Sequence, residues 1–272
     1  SRTQSELEEK LKLIYSNLDP WQTTMVARHE DRPKSKYFID NLFDFDPDFF
    51  GLSEQESQHL NPQYRLLLQT ALKAMEDAGL SNGNVGVFTS QGEVPTNFRN
   101  FLEAIDNGDT SIDGLLANST NNMLSALISR HFDLTGPSMV VQGACASSLV
   151  AAHQACRALQ HQECEAAIVG AVELLHTPTL YALFSKAGVL SPSGQCRPFT
   201  EKADGFVPGE GAITLVLKPL TWALEDGNRI YAVLKGSAIG NDGLVFGQMA
   251  PNPAGQRSVI SRSLDSAGLN ER

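Results

Sequence analysis

An α/β fold is predicted, because short apolar segments typical of buried strands alternate along the chain with segments of helical periodicity. Each apolar segment is bounded by glycine or polar residues, as strands usually are. No repeat with a period of about 20 to 50 residues is visible, so a solenoid is not expected. The predicted strands are Val85–Ser90, Ser138–Gln142, Ala166–Val172, Ala212–Leu217 and Ile230–Leu234.

Two helices are predicted in the first 80 residues, both from apolar spacing and the second also from the residues at its ends. Ser5–Leu18 has leucine and isoleucine at helical spacing with charged residues between them, which predicts an amphipathic helix that packs on the domain or docks to another chain. In the second helix Asn61 suits the N-cap, Pro62 the first helical position and Gly79 the C-terminal end. The residues predicted to share its apolar face are Leu67, Ala71, Met75 and Ala78.

Composition and charge restrict the classes of function. The chain has 272 residues, of which 42% are hydrophobic and 19% charged, an ordinary globular composition. Its formal net charge of −10 disfavours nucleic-acid binding, which needs clustered cations. No apolar run approaches the ~20 residues that a membrane span requires, so no membrane partner is expected. The four cysteines form no CxxC pair, which indicates neither a metal site nor a disulfide framework and favours the reducing cytosol.

Cys145 lies at a predicted junction between a strand and a helix. Gly143 and Ala144 predict a tight turn of small residues, and Ala146–Gln160 has helical periodicity. Amide groups and the dipole at a helix N-terminus favour a thiolate and can hold an oxyanion, while small neighbours leave room for a substrate carbonyl. The sequence therefore predicts a nucleophile elbow, with burial of Cys145 as a mere packing residue as the alternative.

The other thiols and the histidines are predicted to be structural. Cys156 falls on the predicted core face of the helix, Cys164 precedes a strand and Cys196 lies in a turn. Eight residues along a helix place His153 about 12 Å from Cys145, too far for direct contact. The residues predicted to share the helix's core face are Leu149, Ala152, Cys156 and Leu159. The histidines without a recognisable motif are His29, His59, His131, His161 and His176.

The segment GPSMVVQGACASSLVA, which contains Cys145, resembles the active-site segment of β-ketoacyl synthases, particularly the ketosynthase domains of modular polyketide synthases. Three further segments resemble ketosynthase blocks in the same order along the chain. They are Asp46–Leu80, Ser191–Leu220 and Ile230–Gly243. Four ordered blocks make the resemblance highly specific.

The resemblance implies the thiolase fold, a layered αβαβα arrangement of two similar halves, of which this chain covers roughly the first. It implies a dimer formed through a strand near the active cysteine. Residues 1–40 would form an N-terminal helical or linker segment, 41–220 the N-terminal ketosynthase half, and 221–272 the start of the C-terminal half.

In the family, an acyl chain passes from the phosphopantetheine arm of an acyl carrier protein to a cysteine, with which Cys145 aligns. Decarboxylation of a malonyl thioester then supplies the carbon nucleophile. The resemblance implies no directly bound cofactor, and it makes the backbone N–H of Cys145 an oxyanion donor. The expected substrate contacts are Ala144 and Phe206. Phe206 lies in the glycine-rich segment Ala203–Gly211. This segment lacks the glycine spacing of a phosphate-binding loop, so nucleotide binding is not expected. It is predicted to be either a loop that borders an acyl tunnel or an ordinary turn.

Two histidines complete the family's site, in HGTGT and NxGH blocks that this sequence lacks, so a histidine-bearing C-terminal half is an expected partner. Other positions also depart from the family. Gln142-Gly143 stands where Asp-Thr is usual, Asn61 where Asp is usual, and Pro208 where Arg is common. Three alternatives therefore remain: an elongating ketosynthase, a non-elongating one that only transfers or decarboxylates, and a non-catalytic scaffold half.

Overall fold

The structure, a computed structural model, describes residues 45–53, 56–57, 60–92, 106, 122–175, 178–245 and 250–269. The helix predicted at Ser5–Leu18 lies outside these residues. The chain divides into two compact units, a larger one of residues 47–172 and 212–272 and a smaller one of residues 1–46 and 173–211. Within the described ranges, no helix is long and apolar enough to cross a membrane.

The larger unit is built on a four-stranded sheet with the order β2-β1-β3-β4. The strands are β1 (Val85–Gln91), β2 (Ser138–Val140), β3 (Ala166–Glu173) and β4 (Gly211–Leu217). Strand β1 pairs in parallel with both β2 and β3, and all seven of its residues are buried. Burial on both faces explains why β1 is almost continuously apolar. Four of the predicted strands, and the α/β class, are confirmed.

A helix separates each strand from the next along the chain, as the alternation predicts, and further helices precede β1 or follow β4. They are α1 (Pro62–Ala78), α2 (Met123–His131), α3 (Ser147–Gln160), α4 (Thr179–Lys186), α5 (Leu220–Glu225) and α6 (Pro253–Ser266). The ends of α1 are confirmed. The Asn61 side chain accepts a hydrogen bond from the Gln63 amide at 2.9 Å, and Gly79 ends the helix at φ +60°. A Cβ atom at Gly170 of β3 would lie 3.1 Å from Leu67, so the glycine allows α1 to pack closely on the sheet.

The predicted core face of α3 is only partly right, since Ala152 and Leu159 pack against the core but the other two predicted residues do not lie in it. Leu149 is 75% exposed, and Cys156 is only half-buried. The buried face carries small residues instead: Ser147, Ala151, Ala155 and Ala158. Its three alanines pack in one cluster with Phe88 of β1 and Val169 of β3. Alanine brings the helix axis close to the sheet, so the sheet selects the small-residue face rather than the face with the larger side chains.

The strand predicted at Ile230–Leu234 is also wrong. These residues are exposed and belong to no ladder among the described residues. Their side chains reach outward, and Tyr231 donates a hydrogen bond to Asp77 at 3.1 Å. A strand exists only where a neighbouring strand accepts its backbone hydrogen bonds, and in the described residues this segment has no such neighbour.

The smaller unit contains α4 and a loop closed by main-chain contacts. Leu190 forms a parallel bridge with Phe206, and the Ser191 amide donates to the Phe206 carbonyl at 3.0 Å. Gly205 precedes Phe206 at φ +139°, and a Cβ atom there would come within 2.5 Å of the Ser191 nitrogen. The Ser191 hydroxyl donates to Asp204 Oδ1 at 2.7 Å, which ties the two sides of the loop together.

Candidate active site

Cys145 lies in a single 3₁₀ turn, Ala144–Ala146, between the end of β2 and the start of α3. The junction of strand and helix is where the sequence predicts it, and the α-helix begins one residue later than predicted. The side chain of Cys145 is exposed, so it is not a buried packing residue within the described chain. Its neighbours in the turn are small, which leaves the sulfur accessible to a carbonyl carbon.

The turn has an unusual backbone. Ala144 adopts φ +50°, a left-handed conformation that costs a non-glycine residue about 1–2 kcal/mol. Hydrogen bonds hold this conformation. The Ser147 hydroxyl donates to the Ala144 carbonyl at 2.6 Å and accepts from the Gly143 amide at 2.8 Å. The Ala146 amide donates to the Gly143 carbonyl at 3.1 Å, which closes the turn.

The surroundings of Cys145 favour negative charge. The first turn of α3 contains no acidic residue, and the positive end of its dipole follows Cys145 directly. Among the residues that the structure describes, the backbone N–H of Cys145 has no hydrogen-bond partner. An amide without a partner at the N-terminus of a helix is the donor that a developing oxyanion needs.

The remaining thiols differ from Cys145 in exposure or in position. Cys164 is buried and Cys156 is half-buried, and burial raises the pKa of both thiols. A raised pKa keeps a thiol protonated near neutral pH and therefore unreactive. Cys196 is exposed but belongs to the smaller unit.

The described histidines are engaged away from the thiol. His153 Nδ1 lies 2.9 Å from the Ser237 hydroxyl, and His161 Nε2 lies 2.9 Å from the Arg157 guanidinium. The ring of His131 packs on Phe50 with centroids 4.7 Å apart. His29, His59 and His176 lie outside the described residues. Within the described chain, no histidine is hydrogen-bonded to Cys145.

The model of the β-ketoacyl synthase N-terminal domain matches residues 13–223 of the chain. The chain belongs to the β-ketoacyl synthase family. The match contains Cys145 and the whole turn around it.

The curated relatives of this ketosynthase chain are polyketide synthases. A component of the phenolphthiocerol/phthiocerol polyketide synthase of Mycobacterium tuberculosis is 43% identical over 240 residues, which are 85% of this chain and 12% of that protein. The mellein synthase of Phaeosphaeria nodorum is 40% identical over 261 residues, which are 93% of this chain and 14% of that protein. The chain thus spans a small fraction of the length of these relatives.

Solved ketosynthase domains share the fold. The oxazolomycin ketosynthase domain of Streptomyces albus superposes with a TM-score of 0.73 at 36% identity, over 83% of this chain and 39% of that one. The ketosynthase from module 6 of the bacillaene synthase of Bacillus subtilis gives a TM-score of 0.71 at 36% identity, again over 83% of this chain and 39% of that one. The thiolase-like fold and the correspondence to an N-terminal half are confirmed.

The other expected site residues of the ketosynthase lie in different units. Ala144 shares the turn with Cys145 in the larger unit. Phe206 belongs to the smaller unit, where its ring packs edge to face on Phe184 with centroids 5.0 Å apart. The bridge between Leu190 and Phe206 holds its backbone. The substrate-binding roles of Ala144 and Phe206 stay predictions.

Ser147, which is not among the residues predicted from the sequence, makes two hydrogen bonds in the turn through its hydroxyl. The residue is 8% exposed. The only sequence signal is its position, two residues after the cysteine at the first turn of a helix, where serine usually caps. Here its hydroxyl bonds backward to the turn instead.

Proposed function

We propose that this chain forms the acyl-accepting part of a polyketide-type β-ketoacyl synthase, an acyltransferase that forms carbon–carbon bonds by decarboxylative Claisen condensation. The observation that carries the proposal is the exposed Cys145 at the N-terminus of α3, with its amide unpaired among the described residues, in a chain of the ketosynthase family. A nucleophile and an oxyanion donor on one residue are what acyl transfer requires.

In the first step, the thiolate of Cys145 attacks the thioester carbonyl of an acyl chain carried on the phosphopantetheine arm of an acyl carrier protein. A carbon–sulfur bond forms, and the carbonyl electrons move to oxygen, where the Cys145 N–H stabilises the negative charge. Collapse of this intermediate expels the carrier thiolate, which takes a proton from solvent, and leaves the acyl chain on Cys145. The small side chain of Ala144 gives the narrow arm access to the sulfur.

In the second step, a malonyl thioester loses carbon dioxide, and the resulting enolate attacks the carbonyl of the acyl-cysteine. The new carbon–carbon bond forms as the Cys145 thiolate leaves, so the thiolate is regenerated. We assign the histidines of this step to a C-terminal half that completes the domain. The absence of a histidine bonded to Cys145 in the described chain supports that assignment.

We propose further that residues 41–220 form the N-terminal half, that residues 1–40 lead into it and 221–272 continue from it, and that the complete domain is a homodimer. The end of the family match at residue 223 supports the second boundary, whereas its start at residue 13 falls within the proposed leading segment.

We place the reaction in the cytoplasm, and the four free thiols support this. We also propose that Phe206 lies in a loop that borders the tunnel for the acyl chain.

A non-elongating ketosynthase is the second candidate. Its support is the pair Gln142-Gly143, since glycine offers no side chain where the family usually has threonine. Such an enzyme would load an acyl chain on Cys145 and stop there. A non-catalytic scaffold half would not load Cys145 at all.

One experiment separates these functions. The full-length protein is incubated with hexanoyl-pantetheine, and the cysteines are examined by mass spectrometry. The expected adduct is on Cys145, and it disappears in Cys145→Ala but persists in Cys196→Ala, which removes the other exposed thiol. Adding a malonyl carrier protein together with a histidine-bearing C-terminal half then distinguishes elongation from transfer by the appearance of a β-ketoacyl product. An unmodified Cys145 would contradict both enzymatic functions.

A further inference from the structure

Ser147 is the one residue of α3 whose buried side chain bonds to the turn that carries Cys145, among the described contacts. Its hydroxyl accepts from the Gly143 amide at 2.8 Å and donates to the Ala144 carbonyl at 2.6 Å. A serine hydroxyl has one proton to donate, and here that proton is committed to Ala144. The side chain therefore bonds to both residues that precede Cys145 in the chain, Gly143 and Ala144.

The Ala144 carbonyl and the Cys145 N–H belong to the same peptide group. Because the peptide is planar and trans, its carbonyl and its N–H point in opposite directions, and fixing one fixes the other. The Ser147 hydroxyl holds the carbonyl, so it also sets the direction of the N–H. The Ser147 amide donates to the same carbonyl, and the two bonds hold it together.

This peptide needs such support. Ala144 is held at φ +50°, where a residue with a Cβ atom is strained. Without the hydroxyl, the Ala144 carbonyl would lose one of its two hydrogen bonds, and the peptide could rotate about its flanking Cα bonds and turn the Cys145 N–H away from its present direction. A hydrogen bond to the carbonyl also polarises the peptide, which strengthens its N–H as a donor.

We infer that Ser147 is a positioning residue, whose hydroxyl aims the backbone N–H of Cys145 at the oxyanion formed during acyl transfer. The inference rests on the proposed function of Cys145 as acyl acceptor. Ser147 touches neither the substrate nor the sulfur in this role, and it acts through the Ala144–Cys145 peptide.

The test compares two reactions of the same thiol in the full-length protein. Acylation of Cys145 by hexanoyl-pantetheine passes through an oxyanion, whereas alkylation by iodoacetamide is a direct displacement that forms none. In Ser147→Ala, the rate constant of acylation should fall about tenfold, less than the 10²–10³-fold loss typical of deleting an oxyanion donor. The concentration of thioester at half-maximal rate and the rate of alkylation should stay unchanged.

Two matched variants complete the test. Ser148→Ala removes the neighbouring hydroxyl, which makes no hydrogen bond to this turn among the described contacts, and should leave both rates unchanged. Ser147→Thr retains the hydroxyl and should restore most of the acylation rate. If Ser147→Ala does not fold, Ser147→Cys carries the comparison, because a thiol is a much weaker hydrogen-bonding group than a hydroxyl. Fragment-ion mass spectrometry then separates modification of Cys145 from modification of the new thiol.

The outcomes are distinct. An equal loss of acylation and alkylation would show that Ser147 only holds the turn together, and an unchanged acylation rate would show that the hydroxyl has no role; either overturns the inference and leaves the proposed function standing. If Cys145 of the unaltered protein is alkylated but never acylated, the proposed function fails and the inference fails with it.

Discussion

His153 Nδ1 of α3 lies 2.9 Å from the hydroxyl of Ser237, and this contact connects the helix that follows Cys145 to a segment 84 residues further along the chain. Burial, and secondly the charge of Arg157, lowers the pKa of His153. Protonation of the ring therefore disfavours the folded state.

The free energy of unfolding should fall as the pH is lowered from about 7 to 5, because the unfolded state, in which histidine has a pKa of about 6.5, binds the proton more readily than the folded state. His153→Asn keeps a hydrogen-bonding group without a titrating ring, so it should flatten this dependence. Urea denaturation over this pH range measures it. His131, whose pKa burial also lowers, contributes in the same direction, so the slope should not vanish entirely. An identical slope in His153→Asn would contradict the prediction.

Cys145 should be the first thiol that iodoacetamide modifies near neutral pH. It is exposed at a helix N-terminus, whereas burial of Cys156 and Cys164 raises the pKa of their thiols. Peptide mapping after limited alkylation identifies the adduct. Cys196, which is also exposed, is the internal comparison. Earlier modification of any other cysteine would show the assignment to be wrong.

The chain of 272 residues alone should make no β-ketoacyl product, because none of its six histidines lies in a ketosynthase motif. Product should appear only when a histidine-bearing segment is added. The measurement is product formation by the purified chain with a malonyl carrier protein and an acyl donor. Turnover without the added segment would refute the prediction.

Gly205→Ala should destabilise the loop of the smaller unit by about 2 kcal/mol or more, because φ is +139° and the new Cβ would lie 2.5 Å from the Ser191 backbone. Gly209→Ala is the matched control, since a Cβ at Gly209 meets nothing within 4 Å. Limited proteolysis of the two variants compares the stability of the loop. Equal resistance would indicate that the loop shifts without cost.

The isolated chain should associate or aggregate, because large apolar side chains remain exposed. Leu149 is 75% exposed, and on the edge strand β4 Ile213 is 65% exposed. Apolar area exposed to water costs about 25 cal/mol per Å². Sedimentation of the chain tests this expectation. A stable, compact monomer with a sharp two-state unfolding transition would contradict it.

The sequence by itself determined the features that depend on neighbouring residues. Asn61, Pro62 and Gly79 delimit α1 because capping and left-handed backbone are properties of those residues and of the first and last turns alone. The apolar run of β1 and the small residues before Cys145 likewise predict a buried strand and a tight turn. The ordered blocks around them identify the ketosynthase family before any distance is known.

The tertiary structure decided what depends on distant partners. Two faces of α3 are apolar, and only packing on β1 and β3 selects the alanine face over that of Leu149. Ile230–Leu234 has the composition of a strand, but the described residues offer it no pairing partner. The bonds of Ser147 join neighbouring residues, yet they form only because Ala144 adopts φ +50° and turns its carbonyl toward the hydroxyl, a backbone conformation that the sequence does not indicate. Local preference selects an element, whereas burial and hydrogen bonding across the fold decide which face and which atoms it uses.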